Sequence, residues 1–169
     1  MSISPTQTAS GELVITRCFD APREMVFRAW SDPKQLSHWF APHGCTLELV
    51  HLDVRPGGTF HFCIRSPQGH ECWTVGEYHE VVPPERLSYT IAIADRNGQR
   101  MAPTAVGMDP DWPAETLVTV SFEEEGRKTL LTLRQAVNEA LAKRTGAYPS
   151  WLQMLDRLAE DLALRGDRG

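Results

Sequence analysis

The hydrophobic positions fall into two periods. Leu13, Ile15 and either Cys18 or Phe19 are expected inward, with Thr16 and Arg17 between them, which predicts a strand over 13–19. Met25, Val26, Ala29 and Trp30 then switch to helical spacing, with Asp20 as the expected N-cap and Pro22 in the first turn. Ser31-Asp32-Pro33 stops that helix and caps a second short one ending in Leu36, Trp39 and Phe40. From there the period returns to two. Strands are expected over 46–54, 59–65, 71–82, 87–94, 116–123 and 129–135. Turns at Pro56-Gly57-Gly58, Ser66–Gly69, Pro83-Pro84 and Glu125-Gly126 separate them. Residues 150–164 are helical again, with Trp151, Leu152, Leu155, Leu158 and Leu162 on one face and Gln153, Asp156, Arg157, Glu160 and Asp161 on the other.

Consecutive strands joined by short turns form an antiparallel meander. Such a sheet has one face to bury, and a single long helix is left to cover it. The expected fold class is therefore α+β: a curved antiparallel sheet of about six or seven strands wrapped on a long C-terminal helix, with two short helices after strand one. One helix cannot cover a wide sheet completely. The uncovered part must curl into a cavity or close on a partner, and a homodimer is compatible with this.

Residues 1–11 read as a flexible polar lead-in and 12–164 as one domain. Residues 95–114, with Asn97-Gly98 and three prolines, read as a loop of about twenty residues. Trp112 stands in it outside any periodic element, as a loop anchor, a lid or a dimer contact.

Composition narrows the partners. The chain of 169 residues carries a net charge of -5, so it presents no broad basic field, and nucleic acid is not an expected partner. It has no apolar stretch of membrane-spanning length and no basic-then-apolar leader, so the expected location is the cytoplasm, with Cys18, Cys45, Cys63 and Cys72 reduced. No cofactor is implied.

The candidate chemistry is sparse. His61-x-Cys63 and His70-x-Cys72 invite a zinc reading. Alternation argues against it: with Phe60, Phe62 and Ile64 inward, His61 and Cys63 face out, while Cys72 falls on the Phe62 face. No metal ligands and no catalytic residues are assigned. Cys18 and Cys72 are expected as small buried residues. Tyr78 points inward, either as a core ring or as a polar group offered to a ligand. Arg134 and Gln135 end the last strand, one of them toward the sheet's open end.

Several segments resemble a known family. They are Phe19-Asp20-Ala21-Pro22, Trp30-Ser31-Asp32-Pro33, His38-Trp39-Phe40-Ala41-Pro42, Arg55-Pro56-Gly57-Gly58-Thr59-Phe60, Val81-Val82-Pro83-Pro84-Glu85-Arg86-Leu87, Leu117–Phe122 and Trp151–Leu158. In this order they are similar to the START-like (SRPBCC) superfamily, and within it to the branch homologous to the activator of the heat-shock protein 90 ATPase. The resemblance runs from about Glu12 to Ala163 and implies the helix-grip fold. It implies no common reaction, because relatives range from binders of hydrophobic ligands to polyketide cyclases and co-chaperones.

The leading expectation is a protein that binds a small hydrophobic or aromatic molecule between sheet and C-terminal helix. Phe60, Phe62, Ile64, Tyr78, Tyr89, Ile91, Val118, Val120, Trp151 and Leu155 are expected as core or pocket wall, with Trp39 and Trp112 near the mouth. The alternatives are a co-chaperone-like partner of a heat-shock ATPase, implied by the resemblance alone, and a cyclase-like or hydrolase enzyme using the same pocket.

Overall fold

The computed structural model describes residues 12–167; the lead-in expected over 1–11 lies outside the described residues. Seven strands form one antiparallel sheet: β1 (Leu13–Phe19), β2 (Thr46–Leu52), β3 (Thr59–Arg65), β4 (Glu71–Val82), β5 (Arg86–Ile93), β6 (Glu115–Glu125) and β7 (Lys128–Gln135). Their spatial order is β1-β7-β6-β5-β4-β3-β2. The chain therefore meanders from β2 to β7, and β1 closes the far edge against β7. Helices α1 (Arg23–Ser31) and α2 (Pro33–Trp39) follow β1, and α3 (Glu139–Thr145) and α4 (Ala147–Asp167) follow β7.

Local signals explain most of these boundaries. Asp32 caps α2, its Oδ2 accepting from the Gln35 backbone N–H at 3.1 Å, and Pro33 opens the first turn. Asp20 does not cap α1. Pro22 occupies the N-cap position with extended backbone and no side-chain bond, and its carbonyl takes the first amides at Met25 and Val26. The helix thus begins two residues later than a cap at Asp20 would set it. Helix α3 was not among the elements expected from periodicity. Asn138 caps it by accepting from Leu141 N–H at 3.0 Å, and Gly146, at φ 91, ends it in the left-handed conformation. Seven residues are too few for a helical period to stand out against the preceding strand.

The inner face of the sheet carries Phe60, Phe62, Tyr78, Tyr89, Val118 and Val120, and α4 lies across it with Trp151, Met154, Leu155, Leu158 and Leu162 buried. Met154 takes the buried place expected of Leu152, which is half-exposed. One strand position depends on glycine. Gly76 in β4 pairs with Phe60, and a Cβ there would stand 2.0 Å from Thr90 O and 2.2 Å from Phe60 Cζ. The missing side chain is where the Phe60 ring lies.

The outer face departs from simple alternation. His61 and Cys63 do lie on it, opposite to Phe60 and Phe62, but both are buried. Over His61 the cover comes from the segment expected as the start of a long loop. Residues 95–100 instead form a tight turn closed by a bridge between Ala94 and Arg100. Asp95 Oδ1 accepts from the Asn97 and Gln99 amides, and Asp95 O meets His61 Nε2 at 3.1 Å. Trp73 packs against the His61 ring at 5.3 Å. Cys18 and Cys72, expected inside, are exposed, and Cys63 is the buried thiol. Among the described residues no helix is long and apolar enough to cross a membrane.

Candidate functional site

The inner face does not close uniformly. Toward β3, β4 and β5 the helix α4 stands off the sheet and leaves a cavity of about 210 Å³. Phe62, Ile64 and Ile91 form its floor, and Trp151 and Met154 its helical wall. Small residues make the room: Ala92, Ala114, Ala147 and Ser150 line it where larger side chains would fill it. The second half of the 95–114 segment forms the rim through Met108, Trp112 and Pro113.

That rim is tethered. Arg144 on α3 bonds Asp109 at 3.1 Å and Asp111 at 3.3 Å, on the two sides of Pro110. Trp112 N–H donates to Asp109 O at 3.0 Å. The Arg144 hydrogen bond is the main reason that the Asp109 carboxyl titrates below its ordinary range. The long segment therefore serves both faces: its first turn covers His61, and its second half edges the cavity.

At the far wall sits a polar relay. Gln135, buried at the end of β7, accepts from Trp151 Nε1 at 2.9 Å and donates to Thr116 Oγ1 at 3.1 Å. It fixes the Trp151 ring as the wall. Of the pair that ends β7, Gln135 turns inward, while Arg134 is exposed and reaches Glu12 at 3.4 Å. Cys72 is the one titratable side chain among the lining residues; although the residue as a whole is exposed, desolvation of its thiol on the cavity side raises its pKa against the Thr74 hydrogen bond that lowers it. The lining thus offers apolar surface and neutral donors, with no paired acid and base.

A second, smaller space of about 20 Å³ adjoins the first. Trp30, Tyr78, Tyr89, Phe60 and Leu87 are among its walls, and Phe40 and Phe62 border both spaces. These two rings meet edge to face, with centroids 5.6 Å apart. Burial pushes the Tyr78 and Tyr89 phenols well above their ordinary pKa, so both are neutral donors.

The residues expected from the sequence separate into three groups. Phe62, Ile64, Ile91, Trp112 and Trp151 meet at the outer cavity. Phe60, Tyr78 and Tyr89 line the smaller adjoining space. Val118, Val120 and Leu155 are fully buried core and line neither space. Trp39 is not at the mouth. It is fully buried, packs on Trp30 with centroids 4.8 Å apart, and donates its Nε1–H to Ala29 O at 3.1 Å. It lies there because α2 folds back on α1, which a linear pattern does not reveal. Phe40, Met108, Ala147 and Ser150 were missed. A small residue carries no positive signal in a hydrophobic period, and Met108 lies in an aperiodic segment. The zinc reading requires convergence; among the described residues no three His, Cys, Asp or Glu side chains are placed to share a metal ion.

A curved antiparallel sheet closed on a terminal helix, with two small helices inserted after the first strand, is the helix-grip architecture of START-like proteins. Residues 20–163 match the family model described as Activator of Hsp90 ATPase homolog 1-like protein, and the chain belongs to that family. Solved structures agree with the fold. A protein from Chromobacterium violaceum is 26% identical, covering 89% of this chain and 96% of its own, with a TM-score of 0.74. An AHSA1 protein from Silicibacter pomeroyi is 23% identical, with 91% and 99% covered and a TM-score of 0.71. A protein from Arthrobacter aurescens is 19% identical, with 92% and 88% covered and a TM-score of 0.78. No curated protein is significantly similar to the chain.

Proposed function

We propose that this protein binds a small aromatic or otherwise apolar molecule in the outer cavity, between the inner face of β3–β5 and α4. The observation that supports this reading is an open, almost wholly apolar space of about 210 Å³ in a chain with a well-packed core elsewhere. Its size bounds the occupant. Ligand pockets for drug-sized molecules begin near about 300 Å³, whereas an apolar cavity of about 150 Å³ accepts benzene. A molecule of one or two rings fits this range, and a long acyl chain does not. The lining favours neutral ligands, because it offers no charged side chain to pair with an ion.

The test is a thermal-shift series with neutral aromatic probes, run beside the Ser150→Leu protein. At about 100 times its dissociation constant a ligand adds about 2.7 kcal/mol of stability. A rise for one- and two-ring probes that is lost in the variant supports the reading; equal responses of both proteins oppose it.

The family's description favours a second reading, an interaction with a heat-shock ATPase. Of the large exposed apolar residues, Val50, Val82, Leu117 and Leu164 sit on β2, β4, β6 and α4, and Val106 on a short helical turn, Pro103–Val106. Stimulation of a purified Hsp90 ATPase by this protein would favour that reading, and its lack at saturating protein would oppose it.

A further inference from the structure

The outer cavity continues past its rim. Cys72, Ile93 and Met108 line it and also line a flanking hollow of about 300 Å³, so the two spaces adjoin. The hollow lies where β4 begins and β5 ends, and Met101, Val106 and Met108 of the 95–114 segment complete its walls. The lining of the outer cavity carries no charged side chain. That of the hollow carries three, Glu71, Asp95 and Arg96.

The three charges are not equivalent. Glu71 is already occupied: its Oε2 accepts from Arg65 Nε at 3.0 Å, and its Oε1 from Trp73 Nε1 at 3.1 Å and Arg96 Nη2 at 3.4 Å. The Arg96 guanidinium also lies over the Trp73 ring, 5.7 Å from its centroid. Arg65 reaches Glu48 as well, so Arg65 and Arg96 together balance Glu48 and Glu71. Asp95 stands apart. Its Oδ1 accepts from the Asn97 and Gln99 amides, at 2.9 Å each, and no basic side chain forms a salt bridge with it among the described residues. It is the uncompensated charge of the hollow, and the chain's net charge of -5 has the same sign.

Resting on the small-molecule reading above, we infer that the ligand is an elongated amphiphile, with a neutral aromatic body in the outer cavity and a short aliphatic chain that carries a protonated amine into the flanking hollow beside Asp95. The spaces divide the work. The outer cavity buries the rings, and the hollow selects the charge of the far end. The strip shared by the two is apolar, which suits a hydrocarbon chain, and Met108 is unbranched and adapts its shape to what crosses it. Size agrees. The outer cavity alone falls short of the roughly 300 Å³ at which pockets for larger ligands begin, whereas the two adjoining spaces together exceed it. An alkyl amine is protonated at neutral pH, as a lysine side chain is, and a carboxylate in its place would meet the like charge of Asp95.

The experiment uses three probes with the same naphthyl group and chain: 4-(2-naphthyl)butan-1-amine, 4-(2-naphthyl)butan-1-ol and 4-(2-naphthyl)butanoic acid. 2-Naphthol is the control without a chain, and all four are titrated by calorimetry at neutral pH. The amine should bind the wild type about threefold tighter than the alcohol and about tenfold tighter than the acid, as a partly exposed ion pair allows. Asp95→Asn keeps an oxygen to accept the two turn amides and removes the charge, so the three chain-bearing probes should converge to within about twofold. Val106 is exposed and lines the hollow but not the outer cavity. Val106→Trp should weaken the three chain-bearing probes about fivefold and leave 2-naphthol unchanged. An acid that binds as tightly as the amine, an amine preference that survives Asp95→Asn, or chain-bearing probes indifferent to Val106→Trp overturns the inference. In each of these cases the cavity reading stands if 2-naphthol binds the wild type and is weakened by Ser150→Leu. Binding of none of the four probes overturns both.

Discussion

The two halves of the space beneath the sheet are built from similar residues and differ in how they close. Under α1 and α2, Trp30, Trp39, Phe40, Phe27 and Phe122 pack ring against ring, with Trp39–Phe40 at 5.3 Å and Phe27–Phe122 at 5.2 Å. Edge-to-face rings at these distances leave almost no void. Toward β3–β5 the walls are again aromatic and aliphatic, but Ala92, Ala114, Ala147 and Ser150 stand between them, and a cavity results. Hydrophobicity is common to both ends. Volume is what separates a core from a binding site, and it is set by the smallest residues rather than the largest.

The comparison can be broken from the packed side first. Gly76→Ala places a methyl group 2.0 Å from a backbone oxygen and 2.2 Å from the Phe60 ring. Backbone cannot yield as a flexible side chain would, so we expect a loss of about 3 kcal/mol or more. Chemical denaturation measures it, and a loss below about 1 kcal/mol would refute the role of the glycine. Next in size is Arg157 on α4. Its guanidinium donates to the carbonyls of Ala41, Pro42 and Cys45 through Nη1, at 2.7, 3.2 and 3.2 Å, and of His38 through Nη2 at 3.0 Å. It gathers the end of α2 and the chain after it onto α4. Arg157→Met should cost about 2 kcal/mol of unfolding free energy, because charged donors to carbonyls are among the stronger hydrogen bonds. Probe affinity in the outer cavity should change little.

The open side responds differently. Ser150→Leu fills space that is already apolar, so stability should stay within about 1 kcal/mol while probe affinity falls at least tenfold. A parallel loss of both would show that the cavity belongs to the core. The smallest effect is at the rim. Arg144→Ala removes an exposed pair of salt bridges, which contribute little to global stability. It should speed hydrogen exchange at residues 108–112 and raise the probe dissociation rate. Acid should do the same. The Asp109 carboxyl is depressed in the folded state, so its contribution is complete above the ordinary carboxylate range near about pH 4. It is lost as pH falls through the lower folded value. Rim exchange that ignores both changes would show that Arg144 does not hold it.

The fold was legible because periodicity reports burial on regular elements. The alternation of Phe60, Phe62 and Ile64 located the inner face of β3, and Asp32-Pro33 located α2. The resemblance in ordered motifs supplied the architecture. What alternation could not report was a second cover. His61 and Cys63 sit on the outer face as their spacing requires, yet both are buried, and over His61 the 95–100 turn folds back as a second cover. The candidate site was legible in its large residues, such as Phe62, Ile91, Trp112 and Trp151. It was illegible in Ala147 and Ser150, whose contribution is absent volume. Trp39 shows the opposite failure: a large aromatic in a short helix reads the same whether it lines a mouth or fills a core, and only the reversal between α1 and α2 decides.

The most direct test of the central claim is an NMR titration that follows the indole N–H signals of the five tryptophans as 2-naphthol is added. Trp112 at the rim and Trp151 in the wall border the outer cavity, Trp30 the smaller adjoining space, Trp39 neither, and Trp73 packs on the outer face. A ligand bound in the outer cavity as proposed moves the Trp112 and Trp151 signals with one common dissociation constant, and leaves those of Trp39 and Trp73 unmoved. Movement confined to Trp73, or no movement at saturating probe, would contradict the account.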